Sequence, residues 1–295
     1  MGVAQVGVVG IGNMGLAMAL RLQERGFAVQ AHDIDPQREA LARAAQLPLQ
    51  LSPAALAADL DCLIVAVVDA AQSEAVLFGP DGAALVLPAG ATVLLCPTIA
   101  PADTERLGAR LAALGLGCID APMSGGPVRA RAGTMSLMVA CDDAVFERTR
   151  GVIEALSDAV FRLGARLGDG ARVKLVNNLL AGINLAGAAE ALALAERVGL
   201  DPARTLDVIE RSSGQSWIAS DRLRRAIAGD LAPRAHTTLL NKDTHLALAM
   251  AAQAGFEATV GARAAALFAR ACAAGFADLD DASLFELLRR GDGVR

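Results

Sequence analysis

The stretch VGVVGIGNMGLAMALRLQERG, residues 6–26, decides the fold of this chain. A short apolar run leads into Gly10-Ile11-Gly12-Asn13-Met14-Gly15, and a helical pattern follows that stops at Gly26. Strand, glycine-rich turn and helix, in that order, are the setting in which G-x-G-x-x-G binds a dinucleotide. The three glycines allow a tight turn, a close approach of the backbone to a pyrophosphate, and close packing of helix on strand. We predict that a pyrophosphate lies at the positive end of this helix.

An acidic residue at the end of the next strand extends this unit. The predicted strand 27–32 is followed by Asp33, 18 residues after the last glycine of the motif. An acid at this place accepts the adenosine ribose hydroxyls and repels a 2′-phosphate, which predicts NAD rather than NADP. Arg38 is the one residue that could soften this exclusion. The alternative is that Asp33 or Asp35 only caps the helix that begins at Pro36.

Further apolar runs continue the alternation of strands and helices. Uninterrupted runs of this kind are typical of parallel strands that are covered on both faces. They lie at 61–68, 92–96 and 117–121, with further predicted strands at 134–139 and 159–162. Because ligands of doubly wound sheets lie beyond the carboxyl ends of the strands, Val67, Val68 and Thr98 are predicted to line the cofactor cleft.

The segment DAPMSGG, residues 120–126, follows one of these runs. The hydroxyl of Ser124 and the open backbone N–H groups of Gly125 and Gly126 are suited to holding a carboxylate. Taken alone, the segment could equally be an ordinary glycine turn. Its place after a strand of a nucleotide-binding fold favours the carboxylate site.

The stretch GARVKLVNNLLAGINLAGAAEALALAERVGL, residues 170–200, reads as one long helix without proline. Lys174 and Asn178 are four residues apart and therefore share a face. A lysine among apolar neighbours gives up its proton more readily than one in water. Everything after this helix has helical patterns only. We predict an α/β chain with an N-terminal Rossmann-type doubly wound sheet (1–164), and an all-α C-terminal domain (165–295) that begins with a long interdomain helix at about 171–198.

Composition excludes several classes of protein. The 295 residues suffice for two domains, and the net charge of −5 without a Lys/Arg block argues against a nucleic-acid partner. Five dispersed cysteines without C-x-x-C spacing indicate reduced thiols, not a disulfide framework or a zinc site. No metal-ligand spacing is found among the histidines. The start lacks a signal peptide, and no uncharged run of spanning length is found apart from the region 179–189, which ends at Glu190. We predict a cytoplasmic protein without a membrane partner.

Four ordered motifs give the chain a specific resemblance. VVGIGNMGLAMALRL from Val8, DAPMSGGPVRARAGTMSLM from Asp120, KLVNN from Lys174 and the Lys242-Asp243 pair together resemble the β-hydroxyacid dehydrogenases, which include 3-hydroxyisobutyrate dehydrogenase. The resemblance covers essentially the whole chain. Three further segments, VDAAQSEAVLFG from residue 68, TIAPAD from residue 98 and GQSW at 214–217, are most similar to the L-threonate dehydrogenase branch. Departures at Pro97, Met123, Asn177-Asn178 and Thr244 leave the exact substrate open.

The resemblance implies a role for each motif. Lys174 would be the catalytic lysine, Asn178 the substrate-positioning amide, and Ser124 with its two glycines the site of the substrate carboxylate. Thr98 and Lys242 would lie near the nicotinamide and the substrate. Trp217, the only tryptophan, is either a core residue or a substrate contact, and both interpretations stay open.

The implied activity is the NAD-dependent oxidation of a small β-hydroxy acid, threonate- or 3-hydroxyisobutyrate-like, by hydride transfer with a lysine general acid/base. One alternative is an NADPH-dependent reductase of a small aldehyde acid such as glyoxylate, succinic semialdehyde or tartronate semialdehyde. An alternative of another class is a dinucleotide-binding protein without turnover. The alanine-rich C-terminal helices are predicted to form the interface of a homodimer or homotetramer.

Overall fold

The computed structural model describes residues 4–290, which form two compact units. One unit ends at Lys174 and the other begins at Leu175. The first alternates strands and helices, and the second consists of helices and their connections. The predicted fold class, a Rossmann-type domain followed by a helical domain with a long helix between them, is confirmed.

The first unit is built on a five-stranded parallel sheet in the order β2-β1-β3-β4-β5. Its elements and those packed beside it are β1 (Gln5–Val9), α1 (Asn13–Glu24), β2 (Ala28–His32), α2 (Pro36–Ala44), α3 (Pro53–Ala57), β3 (Cys62–Val65), α4 (Ala70–Phe78), β4 (Thr92–Leu95), α5 (Pro101–Ala113) and β5 (Gly117–Asp120). The strand order reverses between β1 and β3, and such a switch point is where doubly wound sheets bind their ligands.

Alternate residues of each strand face opposite sides of this sheet, and both sides are covered. Val8 packs into the core that contains α1, whereas its neighbour Val9 packs into the core that contains α5. Ile64 and Val65, their register partners on β3, divide in the same way. Two-sided burial is therefore the reason why these strands are continuous apolar runs in the sequence.

A second, three-stranded sheet follows, in the order β6-β7-β8. Its elements are β6 (Met123–Ser124), α6 (Gly126–Ala132), β7 (Ser136–Val139), α7 (Asp143–Leu156) and β8 (Ala159–Arg162). β7 and β8 are the predicted strands at 134–139 and 159–162. β6 lies in a segment that the sequence predicted as loop only, and it pairs antiparallel with β7. A two-residue strand is too short to leave a period-2 pattern that sequence reasoning could detect.

The second unit contains six α-helices among the described residues. They are α8 (Asp169–Arg197, which starts in the first unit), α9 (Pro202–Ile209), α10 (Trp217–Ile227), α11 (Thr237–Gln253), α12 (Thr259–Ala271) and α13 (Leu284–Arg290). The sequence pattern does not predict α10, and it indicates the next helix only over 246–255, nine residues after the observed start of α11. The first turns of α11, residues 237–245, have the largely polar sequence TTLLNKDTH, so they show no clear amphipathic helical pattern. The Lys242-Asp243 pair consequently lies inside a helix and not at its start.

Among residues 4–290, α8 is the one helix long and apolar enough to cross a membrane by length and composition alone. The core helix of a soluble protein passes the same test, and 44% of the most apolar window of α8 is buried within the protein.

All five cysteines are free thiols, four of them buried.

Candidate active site

The glycine-rich loop between β1 and α1 combines tight packing with open space. Gly10 has φ +88°, and a Cβ there would lie 2.8 Å from the carbonyl oxygen of Ala66. A Cβ on Gly15 would lie 1.9 Å from the carbonyl oxygen of Gly10. By contrast, a Cβ on Gly12 would meet no atom of the described residues within 4 Å, and no side chain caps α1 at this residue. The loop therefore leaves room at Gly12, before an uncapped helix N-terminus, and this fits the pyrophosphate of a dinucleotide.

Asp33 and Asp35 divide the two roles that the sequence left open. Asp35 caps α2 by accepting a hydrogen bond from the N–H of Gln37 at 2.8 Å. Asp33 instead accepts a 2.7 Å hydrogen bond from the N–H of Ile11 in the glycine-rich loop. Its other oxygen accepts from the N–H of Asp35 at 2.9 Å. The carboxylate of Asp33 is thus held beside the dinucleotide loop, as a ribose ligand would have to be.

Arg38 also contacts this loop. Its Nη1 donates a hydrogen bond to Oδ1 of Asn13 at 3.1 Å, and its Nε lies 4.0 Å from Oδ2 of Asp35. Arg38 and Asp33 thus contact two residues of the glycine-rich motif, Asn13 and Ile11, and the guanidinium could meet a 2′-phosphate there.

Three further predicted cofactor residues follow neighbouring strands at the carboxyl edge of the sheet. Val67 follows β3, and its Cγ1 lies 3.0 Å from the position of a Cβ on Gly10. Val68 is exposed, and its N–H donates to Oε1 of Gln72 at 2.9 Å. Thr98 follows β4 by three residues. These residues surround the β1/β3 switch point together with the glycine-rich loop.

The predicted carboxylate loop is anchored by β6. Ser124 pairs with Ser136, and the chain then turns through Gly125 at φ +128° and Gly126 at φ +73°, a backbone conformation that favours glycine. The side chain of Arg129 covers Gly125, since a Cβ there would lie 3.0 Å from Cδ of Arg129. Pairing with β7 therefore fixes the place from which the Ser124 side chain projects.

Asp120 anchors the start of the helix that carries Lys174. Its Oδ2 accepts hydrogen bonds from the N–H groups of Gly168, at 2.9 Å, and Ala171, at 3.0 Å. Gly170 permits this approach, because a Cβ there would lie 2.8 Å from Cγ of Asp120. Burial raises the pKa of the Asp120 carboxyl to about 6, against the opposing effect of the helix N–H donors. One turn later, the side chain of Lys174 is only 8% exposed.

In the second unit, one buried carboxylate joins two predicted site residues. Nδ2 of Asn178 donates to Oδ2 of Asp243 at 2.6 Å, and Nζ of Lys242 donates to Oδ1 of the same carboxylate at 2.7 Å. Nδ2 of Asn177 donates to Oδ1 of Asn178 at 3.0 Å. Asn178 and Asp243 are both buried. Trp217 lies at the first position of α10 with half of its surface exposed, which argues against its being a core residue.

Sequence reasoning missed the part played by Asp120 and Asp243. Each was quoted within a motif, but neither was predicted as a site residue. For Asp120 the signal is a carboxylate at the end of an apolar strand, because buried charges require partners. Asp243 lies among polar residues, and no local signal distinguishes it. Within residues 4–290, no group of three or more His, Cys, Asp or Glu side chains could hold a metal ion.

Comparison with known proteins agrees with this geometry. Residues 5–164 match the family model described as the NAD-binding domain of 6-phosphogluconate dehydrogenase. Residues 168–288 match the model described as NAD-binding of NADP-dependent 3-hydroxyisobutyrate dehydrogenase. The chain is 38% identical to an L-threonate dehydrogenase of Cupriavidus necator over 96% of this chain and 95% of that protein. It is 31% identical to a 2-hydroxy-3-oxopropionate reductase of Escherichia coli strain K12, over 96% of this chain and 97% of that one.

Among solved structures, a 3-hydroxyisobutyrate dehydrogenase from Salmonella typhimurium superimposes with a TM-score of 0.91. It is 34% identical in sequence, and the match covers 96% of this chain and 99% of that one. Fold and site together define an NAD(P)-dependent oxidoreductase. The chain belongs to the β-hydroxyacid dehydrogenase family.

Proposed function

We propose that this protein oxidises a small β-hydroxy acid, threonate- or 3-hydroxyisobutyrate-like, with NAD as the oxidant. The observation that carries the proposal is the burial of Lys174, 8% exposed, four residues before the equally buried Asn178 on one helix. A buried amine is an uncommon feature without a function to retain it. The names of relatives that act on threonate and 3-hydroxyisobutyrate support this substrate class.

The use of cations in this chain supports a catalytic lysine. Among 27 basic residues only two are lysines, Lys174 and Lys242, and the other 25 are arginines. Arginine cannot release its proton under ordinary conditions, whereas a lysine amine can act as an acid or a base. The two lysines therefore stand where the resemblance requires them, in a chain that otherwise uses arginine.

In the proposed reaction, Nζ of Lys174 takes the proton of the substrate hydroxyl during oxidation and returns it during reduction. A bound NAD would supply the acceptor for the hydride that leaves the hydroxyl-bearing carbon. Asn178 orients the substrate, and Ser124, Gly125 and Gly126 bind its carboxylate. Trp217 is assigned a substrate contact.

The assigned cofactor residues are Gly10, Ile11, Gly12, Asn13, Met14, Gly15, Asp33, Val67, Val68, Thr98 and Lys242. The position of Asp33 favours NAD over NADP. The contact of Arg38 with Asn13 is the observation that favours the alternative, an NADPH-dependent reductase of an aldehyde acid. Turnover of the same substrate pair with each cofactor decides between them.

We assign cofactor binding to residues 1–164 and the substrate-positioning helices to residues 165–295. Free thiols in all five cysteines support a cytoplasmic location. A homo-oligomer is supported by an exposed apolar stripe along one face of α8, formed by Val173, Val176, Leu180 and Leu194. At 100° per residue these four side chains lie within an arc of about 60°, and the stripe is about 32 Å long.

The substitution of Lys174 tests the proposal. Lys174→Ala and Lys174→Arg should each lower kcat by about 100- to 10,000-fold, the range for a lost general base, while the NAD dissociation constant stays within a few fold. Arg172→Lys, on the same helix and paired with Glu105, is the matched control and should retain turnover. Turnover retained in Lys174→Ala, with any hydroxy acid of three or four carbons, would overturn the assignment.

A further inference from the structure

We propose that Asp243 is a positioning residue that fixes the orientation of the Asn178 side-chain amide, so that this amide acts on the substrate as a hydrogen-bond donor. The inference rests on the proposed role of Asn178 in substrate binding. A carboxylate accepts hydrogen bonds and donates none, so the group of Asn178 that lies 2.6 Å from Oδ2 of Asp243 is its NH2. The amide oxygen points the other way and accepts from Nδ2 of Asn177.

Among residues 4–290, the hydrogen bonds of Asn178 leave one of its N–H groups available to a ligand. Of its two N–H bonds, one is used by Asp243, and the oxygen is used by Asn177. A free N–H suits an oxygen that becomes more negative in the reaction, such as the substrate hydroxyl oxygen as its proton leaves. A flipped amide would place its oxygen there instead and repel that charge.

The packing of α8 against α11 brings the two side chains together. Gly182 lies one turn after Asn178, and a Cβ there would lie 2.8 Å from Cγ2 of Thr244, the residue after Asp243. A side chain at 182 would therefore push the two helices apart. The hydroxyl of Thr244 is turned back to the carbonyl oxygen of Leu240 at 2.8 Å, so only its methyl group faces Gly182.

The carboxylate of Asp243 sets the orientation of the Asn178 amide through its two hydrogen-bonded oxygens. Asp243 is 6% exposed, and a buried carboxylate needs compensation. Nζ of Lys242 supplies it at 2.7 Å. Both carboxylate oxygens are thus occupied, one by a cation and one by the amide that they orient.

A double-mutant cycle tests whether Asp243 acts through Asn178. Asp243→Asn keeps the shape of the side chain but can donate as well as accept, so it releases the amide to flip. We expect kcat to fall 10- to 100-fold. In the Asn178→Ala background the same substitution should lower kcat by less than threefold, because the residue to be oriented is gone.

Asp281→Asn is the matched control, since Asp281 is also buried in the second unit and bonded to an arginine, Arg222. It should alter the melting temperature and leave kcat within threefold. Asp243→Ser, which removes the charge with a smaller side chain, should reproduce the loss of kcat if Asp243→Asn folds poorly. Loss of folding in both Asp243 variants would overturn the proposal by making Asp243 a structural residue.

Two further results would overturn it. One is an equal loss of kcat from Asp243→Asn with and without Asn178, and the other is wild-type kcat in Asp243→Asn. The proposed function has its own test in Lys174→Ala. If Lys174→Ala is inactive while Asp243→Asn turns over normally, only the positioning role fails.

Discussion

The carboxylate of Asp120 accepts a 3.0 Å hydrogen bond from the backbone N–H of Ala171, three residues before Lys174. The bond joins the end of β5 to the first turn of α8, across 51 residues of sequence. The helical turn that carries Lys174 is therefore anchored by the buried carboxyl group of Asp120. We expect the protonation state of this carboxyl group to affect the stability of the first unit.

The stability of the protein should report the ionisation of Asp120. Burial raises its pKa from 3.8 in the unfolded chain to about 6, so the folded state binds more protons between these values. The contribution of Asp120 to stability is fully present below about pH 4 and is lost as pH rises through about 6. The destabilisation caused by Asp120→Asn should accordingly shrink over this interval, by about 3 kcal/mol at most. Urea unfolding of both proteins from pH 4 to pH 7.5 measures it, and a penalty that grows with pH would contradict the assignment.

Gly12 and Gly15 should respond differently to the same substitution. Gly12→Ala meets no described atom within 4 Å, so the melting temperature of the free protein should change little, while NAD binding weakens at least tenfold. Gly15→Ala forces a Cβ to within 1.9 Å of a backbone oxygen, so it should destabilise the fold itself by about 1–3 kcal/mol. Thermal melts and calorimetric NAD titrations separate the two effects. If both variants lose stability equally, the space at Gly12 is required by the fold and is not a binding site for NAD.

Asp33 should control the choice between NAD and NADP. Asp33→Asn removes the charge, while the amide oxygen can still accept from the N–H of Ile11; only the hydrogen bond from the N–H of Asp35 is lost. Two unit charges about 4 Å apart repel by about 1 kcal/mol in water and about 4 kcal/mol near a protein surface, so the NADP/NAD ratio of kcat/KM should rise at least about fivefold. Asp35→Asn is the control, because asparagine caps a helix as well as aspartate does. If the NADP/NAD ratio of kcat/KM is unchanged in Asp33→Asn, the charge of Asp33 does not repel the 2′-phosphate.

The apolar stripe of α8 should be the contact between subunits. Leu180 and Leu194, both more than half exposed, lie 14 residues apart on this face. Replacing both by Asp would bury two unpaired charges in the interface, and the molar mass measured by light scattering should fall to that of one chain. Val208→Asp places the same change on an exposed apolar residue of α9 and should leave the mass unaltered. If the wild-type protein is itself a monomer by light scattering, the proposed subunit interface is wrong.

The sequence by itself determined the class of fold and its local turns. Parallel strands that are buried on both faces have continuous apolar sequences, so they can be recognised without the structure. Gly10 has φ +88°, a conformation that few other residues adopt, so the glycine indicates a turn. It also placed Lys174 and Asn178 on one face, since that depends only on the helical period. These features are local and can be read from neighbouring residues.

The tertiary structure alone decided what holds those residues. The contacts of Asp120 with Ala171 and of Asn178 with Asp243 span 51 and 65 residues, and they depend on how closely helices pack. Gly182 shows why sequence could not supply this, because a glycine within a helix reveals a close approach only when Thr244 is seen against it. The same holds for Asp33 and Asp35, two residues apart, where only the position of the Ile11 N–H decided which carboxylate faces the cofactor loop and which caps a helix.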